Sequence, residues 1–228
     1  MTILDTNLTD ITVLPIEQFR DMDYLAVEKY HLPIELMMEN AGLNLARYAA
    51  SLLPMKSAIL IGVGTGNNGG GGLVAARRLA GWGFKVIIDL PNPNLKKLPA
   101  IQLKRAMAFG AVIKRAKKPS LFIDAYFGFS QRLPLPSEFE SSIEKANKLP
   151  CKKISLDLPS GFDKASSASI FKPDIIITLA AMKTELLPLL ESTQIILADI
   201  GIPELVYVEQ GKKLPANFSK NSLLKIIF

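Results

Sequence analysis

Two aspartates stand where a carboxylate can do chemistry, because each one ends an apolar run. Asp124 lies in the segment FIDAYFGFS and Asp157 in the segment SLDLPSGFD. A carboxylate at the border of a cleft can transfer protons or hold a cation, since burial and neighbouring charges set its pKa. The alternative for each aspartate alone is a structural role, in which it caps the following turn or helix.

A glycine-rich segment is the second chemical feature. Residues 64–72 read GTGNNGGGG and lie between an apolar run and a predicted helix. Glycines permit close approach of the backbone to a ligand, and the N–H groups at the start of a helix bind phosphate. The segment therefore predicts an anion-binding loop, with a glycine-rich turn that binds nothing as the alternative.

The elements that must position these residues alternate between helices and strands. Residues 16–53 show helical spacing broken at Pro33, and two apolar runs at residues 58–63 and 85–90 enclose a helix over residues 73–82. Further strands are predicted at residues 111–113, 121–123, 154–156, 175–179 and 195–197, and further helices at residues 100–109 and 137–149. This order predicts an α/β fold, a mostly parallel doubly wound sheet covered on both faces, in one domain over residues 1–228.

Ligands of such folds bind beyond the carboxyl ends of the strands. The polar residues that follow the predicted strands would then meet at one edge of the sheet, and these are Asn68, Asp124, Asp157 and Ser160. An oxygen-rich set of this kind suits a hard cation better than a soft one. Lys183 follows another predicted strand, and it could belong to this site or be an ordinary surface lysine.

The composition is that of an ordinary globular protein. Of 228 residues, 49% are hydrophobic and 21% are charged, which excludes disordered and collagen-like classes. A single cysteine, Cys151, excludes an internal disulfide, and a single histidine, His31, leaves no classical zinc site. The acidic start MTILDTNLTDITVLP predicts no leader peptide and a cytoplasmic location, and no apolar run is long enough for a membrane helix.

Much of the net charge of +6 comes from one basic segment, residues 96–118. It contains no acidic residue, and its cations are Lys96, Lys97, Lys104, Arg105, Lys114, Arg115, Lys117 and Lys118. Such a segment could attract phosphates or nucleic acid. Because no aromatic residues are interleaved among its C-terminal cations, we expect a solvated helix face and loop and no nucleic-acid partner.

Six segments in order resemble the NAD(P)H-hydrate epimerase family, also called the YjeF N-terminal domain. They are MMENAG, GTGNNGGGGLVAARRLA, FIDAYFGFS, SLDLPSGFD, ITLAAMKTEL and LADIGIP, and they span about residues 16–205. The resemblance implies a Rossmann-like three-layer α/β/α sandwich with an N-terminal helical segment, commonly a homodimer. It also implies interconversion of the R and S forms of hydrated NADH or NADPH, at the ring carbon beside the nicotinamide nitrogen.

The resemblance also assigns roles to individual residues. Asn68, Asp124 and Ser160 match the ligands of a bound potassium ion, and Asp157 matches a substrate-contacting acid/base carboxylate. Segments that line the substrate site match Asn67, Asn68, Gly69, Gly70 and Gly71, and also Gly128, Phe129, Ser130, Gln131, Arg132, Leu133 and Pro134. Glu39 and Asn40, in the MENAG helix, match a structural or dimer-related position.

For this chemistry we hypothesise that Asp157 acts first as general acid and then as base. The hydroxyl leaves as water, a ring cation conjugated with the nitrogen forms, and water adds again to either face. Ring opening to an aldehyde and reclosure is the competing route.

The sequence departs from the family pattern in ways that keep other functions open. Gly71 stands where the family has an aspartate, AAMK stands where TAPK is usual, and the loop after Gly128 lacks a second glycine. A catalytically inactive, dimeric, RNA-associated scaffold that uses the basic segment is the main alternative, and an NAD-dependent dehydrogenase is a more distant one. Because the chain ends at Phe228, we expect the hydrate dehydratase that uses the product to be a separate protein.

Overall fold

The computed structural model describes residues 3–114, 116 and 118–227. Arg115 and Lys117 of the basic segment lie outside the described residues. The strands are β1 (Leu4–Asn7), β2 (Val13–Leu14), β3 (Ala58–Val63), β4 (Lys85–Asp89), β5 (Val112–Ile113), β6 (Leu121–Ala125), β7 (Lys152–Leu156), β8 (Ile175–Leu179), β9 (Met182–Lys183), β10 (Gln194–Ala198) and β11 (Leu223–Ile227). The helices are α1 (Ile16–Glu28), α2 (Ile34–Ser51), α3 (Asn67–Gly81), α4 (Lys97–Ala108), α5 (Ser137–Asn147) and α6 (Glu204–Glu209).

Nine strands form the main sheet in the order β1-β11-β10-β8-β7-β6-β3-β4-β5. Its neighbours are parallel except for the β10/β11 pair. The chain runs outward from β3 through β4 to β5 and then returns to place β6 on the other side of β3. This reversal is a topological switch point, where the crossover connections diverge and leave a crevice at the strand ends.

Apolar side chains alternate between the two faces of the sheet, so both faces are buried. On β3, Ile59 and Ile61 pack with residues of α2 and α3, whereas Leu60 packs on the opposite face with Phe139 and Ile143 of α5. This period-two pattern follows from strand geometry. The structure therefore confirms the Rossmann-like three-layer α/β/α fold. No helix within the described ranges has the length and apolarity needed to cross a bilayer.

Most element positions agree with the sequence-based prediction, and the largest difference concerns the glycine segment. The sequence predicted a loop followed by a helix from residue 73, but α3 already begins at Asn67. Its first turns pack directly against neighbouring backbone, because a Cβ at Gly69 would lie 2.0 Å from the Gly64 carbonyl oxygen. A Cβ at Gly72 would lie 2.5 Å from the Ala125 Cβ. The glycines thus allow a helix to approach the sheet closely.

The strands β1, β2, β9 and β11 were not predicted. The outer strand β1 pairs with β11, and the two-residue strands β2 and β9 pair with each other. Two-residue strands carry too few alternating residues to be recognised from hydrophobic periodicity. The β2/β9 pair matters for function, because it ends with Lys183.

Candidate functional site

A cavity of about 300 Å³ lies at the switch point, beyond the carboxyl ends of β3, β6 and β7. The predicted site residues that line it are Asn67, Asn68, Gly71, Gly128, Phe129, Ser130, Gln131 and Asp157. Helix α3 supplies the first three of these and the segment after β6 supplies the next four. The cavity therefore joins the start of a helix to strand-end polar groups, as the sequence predicted.

Five predicted substrate-binding residues lie elsewhere than on the cavity wall. Gly69 and Gly70 are buried in the first turns of α3, and a Cβ at Gly70 would lie 2.6 Å from the Met38 Sδ atom. Arg132, Leu133 and Pro134 are exposed, further along the loop that follows Gln131. In the structure, Gly69 and Gly70 shape the wall through packing.

Asp157 is held in a fixed orientation at this wall. It follows β7 with a φ of 68°, a left-handed conformation that aspartate tolerates better than most residues, and its N–H donates to the Ile177 carbonyl at 2.8 Å. Its Oδ1 accepts a hydrogen bond from the Lys183 ammonium at 2.8 Å, and its Oδ2 accepts one from the Phe129 N–H at 2.9 Å. Each carboxylate oxygen therefore has a donor, although the residue is only 1% exposed.

Lys183 belongs to the site and is not a surface lysine. Its side chain is fully buried, and its ammonium also donates to the Thr178 hydroxyl at 3.1 Å and to the Leu179 carbonyl at 2.8 Å. The Phe19 ring covers the same ammonium, with its centroid 3.7 Å from Nζ. Burial lowers the pKa of Lys183, and the charge of Asp157 opposes that shift. All three N–H groups of the ammonium have an acceptor within the protein. Lys183 therefore holds Asp157, Thr178 and the Leu179 carbonyl in place.

Asp124, one residue before the end of β6, lies in a different environment. Its Oδ2 accepts hydrogen bonds from the Ser155 hydroxyl at 2.8 Å and the Ser160 N–H at 2.9 Å, and its Oδ1 accepts from the Ser160 hydroxyl at 2.6 Å and the Tyr126 N–H at 3.2 Å. Burial raises the pKa of Asp124 to about 6, although the Ser160 hydrogen bonds act in the opposite direction. Within the described ranges, no cationic side chain pairs with this carboxylate.

The predicted potassium ligands are chemically suited to a hard monovalent cation. Asp124 and Ser160 are in direct contact, and Asn68 donates its amide N–H to the Leu156 carbonyl at 3.3 Å, which leaves its own carbonyl oxygen free to bind. A Cβ at Gly128 would lie 3.1 Å from the Asn68 Oδ1 atom, so this glycine keeps the approach to that oxygen open. The donor set is one carboxylate and neutral oxygens, the ligands that hard cations prefer.

Asp23 is a site residue that the sequence analysis missed. It lines the cavity from α1, one helical turn after Phe19. Burial raises the pKa of Asp23 to about 6, and the nearby charge of Asp157 adds to the shift while Lys183 reduces it. No sequence signal could have found it, because α1 precedes the glycine segment and reaches the cavity only through the tertiary fold.

The basic segment divides into two environments. Lys96 lines the cavity, and its N–H donates to the Thr65 carbonyl at 3.0 Å. Arg105, on α4, is paired with Glu35 at 2.6 Å. The segment therefore contributes one cation to the cavity and another to a surface ion pair.

The two residues of the MENAG helix make contacts within the chain. Glu39 accepts from Arg77 at 2.6 Å and from Arg78 at 3.0 Å, which ties α2 to α3. The Asn40 amide donates to the Ile200 carbonyl at 3.0 Å. These contacts agree with the structural role that was one of the two expectations for this pair.

Comparisons with known proteins agree on one family. The sequence profile of the family described as YjeF-related protein N-terminus matches residues 34–185. A protein of Dehalogenimonas lykanthroporepellens named NAD(P)H-hydrate epimerase is 35% identical over 216 residues, which cover 89% of this chain and 87% of that protein. A protein of the same name from Rhodopirellula baltica is 30% identical over 199 residues, or 78% of this chain and 81% of that protein.

Two further similarities concern a longer protein and a solved structure. The bifunctional NAD(P)H-hydrate repair enzyme Nnr of Thermofilum pendens is 34% identical over 165 residues, which cover 65% of this chain and 31% of that enzyme. The crystal structure of yeast ynu0 (YNL200c) superposes with a TM-score of 0.83 at 21% identity, over 94% of this chain and 100% of that chain. The yeast structure shows that the fold is shared.

Proposed function

This chain belongs to the YjeF-related N-terminal family, and from that premise we propose that it is an NAD(P)H-hydrate epimerase. The proposed reaction interconverts the R and S forms of hydrated NADH and NADPH and makes the protein an isomerase. The observation that carries the proposal is the buried Asp157 carboxylate, which Lys183 and the Phe129 N–H fix at the wall of the switch-point cavity. Relatives named NAD(P)H-hydrate epimerase, at 30% and 35% identity, support it.

The chemistry at the hydrated carbon needs proton transfer, and Asp157 is suited to it. The hydroxyl sits beside a ring nitrogen whose electron pair can expel it as water and leave a cation in the ring. A carboxylate nearby stabilises that cation and takes a proton from the water that adds again. The two hydrogen bonds to Asp157 hold it in one orientation, so this stabilisation requires little reorganisation.

The substrate's phosphates have two positive partners available in the cavity. The N–H groups at the start of α3, at Asn67 and Asn68, lie at the positive end of a helix of 15 residues. Lys96 lines the same cavity. We assign the phosphate-bearing part of the substrate to these N–H groups and Lys96, and the hydrated ring to the wall at Asp157.

Potassium is part of this proposal as a structural cofactor. Asn68, Asp124 and Ser160 would hold it, and when bound it supplies a positive charge near the Asp124 carboxylate. That charge would offset the cost of burying a carboxylate that has only hydrogen-bond donors around it. In this proposal Asp124 and Ser160 bind the cation and shape the site, and Asp157 transfers the proton.

The proposal is tested with the purified protein and the single hydrate epimer that a purified dehydratase leaves unused. We expect the epimer ratio, followed by chromatography in potassium buffer, to equilibrate far faster than in buffer alone. If the reaction is run in ¹⁸O-labelled water, loss and re-addition of water incorporates label at each epimerisation, whereas ring opening retains the original oxygen. A folded protein that gives no acceleration contradicts the proposed function.

No observation on the described residues favours the RNA-associated scaffold. Arg105 of the basic segment is paired with Glu35, and Lys96 faces the cavity. A homodimer, a separate hydrate dehydratase that takes the product and a cytoplasmic location stay predictions. Light scattering after gel filtration measures the first of these directly.

A further inference from the structure

Asp157 is held on one side of the cavity. Lys183 and the Phe129 N–H donate to its two carboxylate oxygens and fix its orientation. A carboxylate fixed in one orientation can reach only one face of the ring, whereas epimerisation removes the hydroxyl from one face and adds water to the other. The proposed reaction therefore needs a second group that donates a proton.

The cavity wall offers few proton donors. Among its described residues the titratable ones are Asp23, Lys96, Tyr126 and Asp157. The Tyr126 hydroxyl is engaged with the Asp89 carboxylate, and burial raises the pKa of Tyr126 well above its usual value. A lysine ammonium is a much weaker acid than a carboxyl group. Asp23 is therefore the remaining candidate for the proton donor.

Asp23 is placed differently from Asp157. Asp23 comes from α1, whereas Asp157 follows the end of β7. Phe19 lies one turn before Asp23 on α1, and its ring centroid is 3.7 Å from the Lys183 ammonium. Helix α1 thus presents Phe19 and Asp23 on adjacent turns of one face. Within the part of the chain that the structure describes, the Asp23 carboxyl makes no hydrogen bond or ion pair, so it is available to a ligand in the cavity.

We propose that Asp23 is a second catalytic residue, which donates a proton to the substrate hydroxyl on one face of the ring while Asp157 serves the opposite face. This inference rests on the proposed epimerase function. It replaces a single acid/base residue by a pair, because water that adds to the opposite face must lose its proton on that side.

The steps balance as follows. The proton on Asp23 passes to the hydroxyl oxygen, the C–O bond breaks with its electron pair on the departing water, and the ring nitrogen forms a double bond to the same carbon. A water on the other face then bonds to that carbon, and its proton passes to Asp157 as the nitrogen recovers its electron pair. Asp157 then loses its proton to solvent and Asp23 takes one up from solvent, which restores the starting pair.

The environment of Asp23 keeps part of it protonated near neutral pH. Burial and the Asp157 charge raise the pKa of Asp23 to about 6, whereas an ordinary aspartate titrates near 3.9. The charged groups that face it are Asp157 and Lys183, with Lys96 on the same cavity wall and Glu185 beyond Lys183. Both acid and base are thus present in the pH range where the reaction is expected to run.

The test compares Asp23→Asn with Asp21→Asn, an exposed aspartate on the same helix, by measuring kcat and KM for epimerisation between pH 5.5 and 8.5. For the wild type we expect kcat/KM to fall as pH rises through about 6, because Asp23 loses its proton. For Asp23→Asn we expect kcat to fall roughly 10²-fold, KM to change little and the falling limb to disappear. Asp21→Asn should match the wild type.

Each outcome decides a different question. An active wild type with an Asp23→Asn protein of similar kcat overturns the inference and leaves the proposed function intact. A loss confined to KM, with the pH profile unchanged, overturns it too, because it shows a binding role. A wild type that does not accelerate epimer exchange overturns the proposed function and this inference with it.

Discussion

Asp124 and Asp157 end neighbouring parallel strands and are almost completely buried, yet their surroundings differ. Asp124 is enclosed by four hydrogen bonds from hydroxyl and N–H groups, while Asp157 has one N–H donor and the Lys183 ammonium. Only Asp157 lines the cavity, because Asp124 is covered by Ser155 and Ser160. Among the described residues, Asp157 has a lysine as its cation, and Asp124 has only neutral hydrogen-bond donors.

The different surroundings of Asp124 and Asp157 suit two different roles at the same edge of the sheet. A carboxylate surrounded by neutral donors retains an unbalanced charge, which a bound cation can neutralise. A carboxylate that already has its own ammonium can face a ligand while charged. On the proposed function, the Asp124 strand end would hold a cation and the Asp157 strand end would transfer a proton, and substitutions can test this division.

The largest effect is expected for Asp157→Asn. The amide cannot accept the proton, so epimerase activity should fall by about 10² to 10⁴-fold. The measurement is the rate of epimer exchange in potassium buffer, with circular dichroism to check the fold.

Asp163→Asn in the same segment is the matched control for that measurement, because the Asp163 carboxylate accepts hydrogen bonds from Ala165 and Ser166 within an exposed turn. It should retain wild-type activity. Full activity in Asp157→Asn would remove Asp157 from the reaction and would leave the division between the two strand ends without support.

The next largest effect concerns stability and Lys183. Replacing Lys183 by Met leaves Asp157 buried without its counter-charge, which costs about 3–5 kcal/mol for a pair of this kind. Urea denaturation measures the change in unfolding free energy. The double variant Asp157→Asn with Lys183→Met should recover part of the loss, since neither charge is then left alone. Additive losses would show that the pair is not coupled.

A third effect distinguishes Asp124 directly. If Asp124 holds a cation, potassium chloride should raise the melting temperature above that in sodium chloride of equal ionic strength. At a potassium concentration 100 times the dissociation constant the gain is about 2.7 kcal/mol. Asp124→Asn should lose this response while Asp157→Asn keeps it. An equal response in both variants would mean that Asp124 is not a ligand.

Whether each of these residues could be predicted from sequence depends on whether a local pattern marks it or only the tertiary packing brings it to the site. Asp124 and Asp157 were found because the end of an apolar strand marks the ligand-binding edge of a doubly wound sheet. Lys183 was ambiguous, because its burial depends on the short β2/β9 pair and on Ala180, whose φ of 57° turns the chain after β8. Asp23 needed the packing of α1 over the cavity, which no local pattern records.

The glycine segment shows the same limit in another way. Its composition predicted a ligand loop, and the structure places Asn67 and Asn68 at the start of α3 against the cavity. The start of α3 was predicted too late, because glycine has a low intrinsic helix propensity. Helix propensity takes no account of the close packing of this helix against Gly64 and Ala125, which leaves no room for a Cβ.

The smallest effect is expected at Gly71, which lies on α3 at the cavity wall and stands where the family has an aspartate. A Cβ there would lie 3.0 Å from the Leu156 Cδ2 atom, the movable end of a side chain. Alanine also gains about 0.5–1 kcal/mol over glycine within a helix, so Gly71→Ala should change the unfolding free energy by less than about 1 kcal/mol and retain activity. Gly69→Ala is the contrast, because its Cβ would lie 2.0 Å from the Gly64 carbonyl oxygen, and it should lose about 1–3 kcal/mol and shift the start of α3. Urea denaturation of both variants measures the difference, and equal losses would show that α3 is packed as tightly at Gly71 as at Gly69.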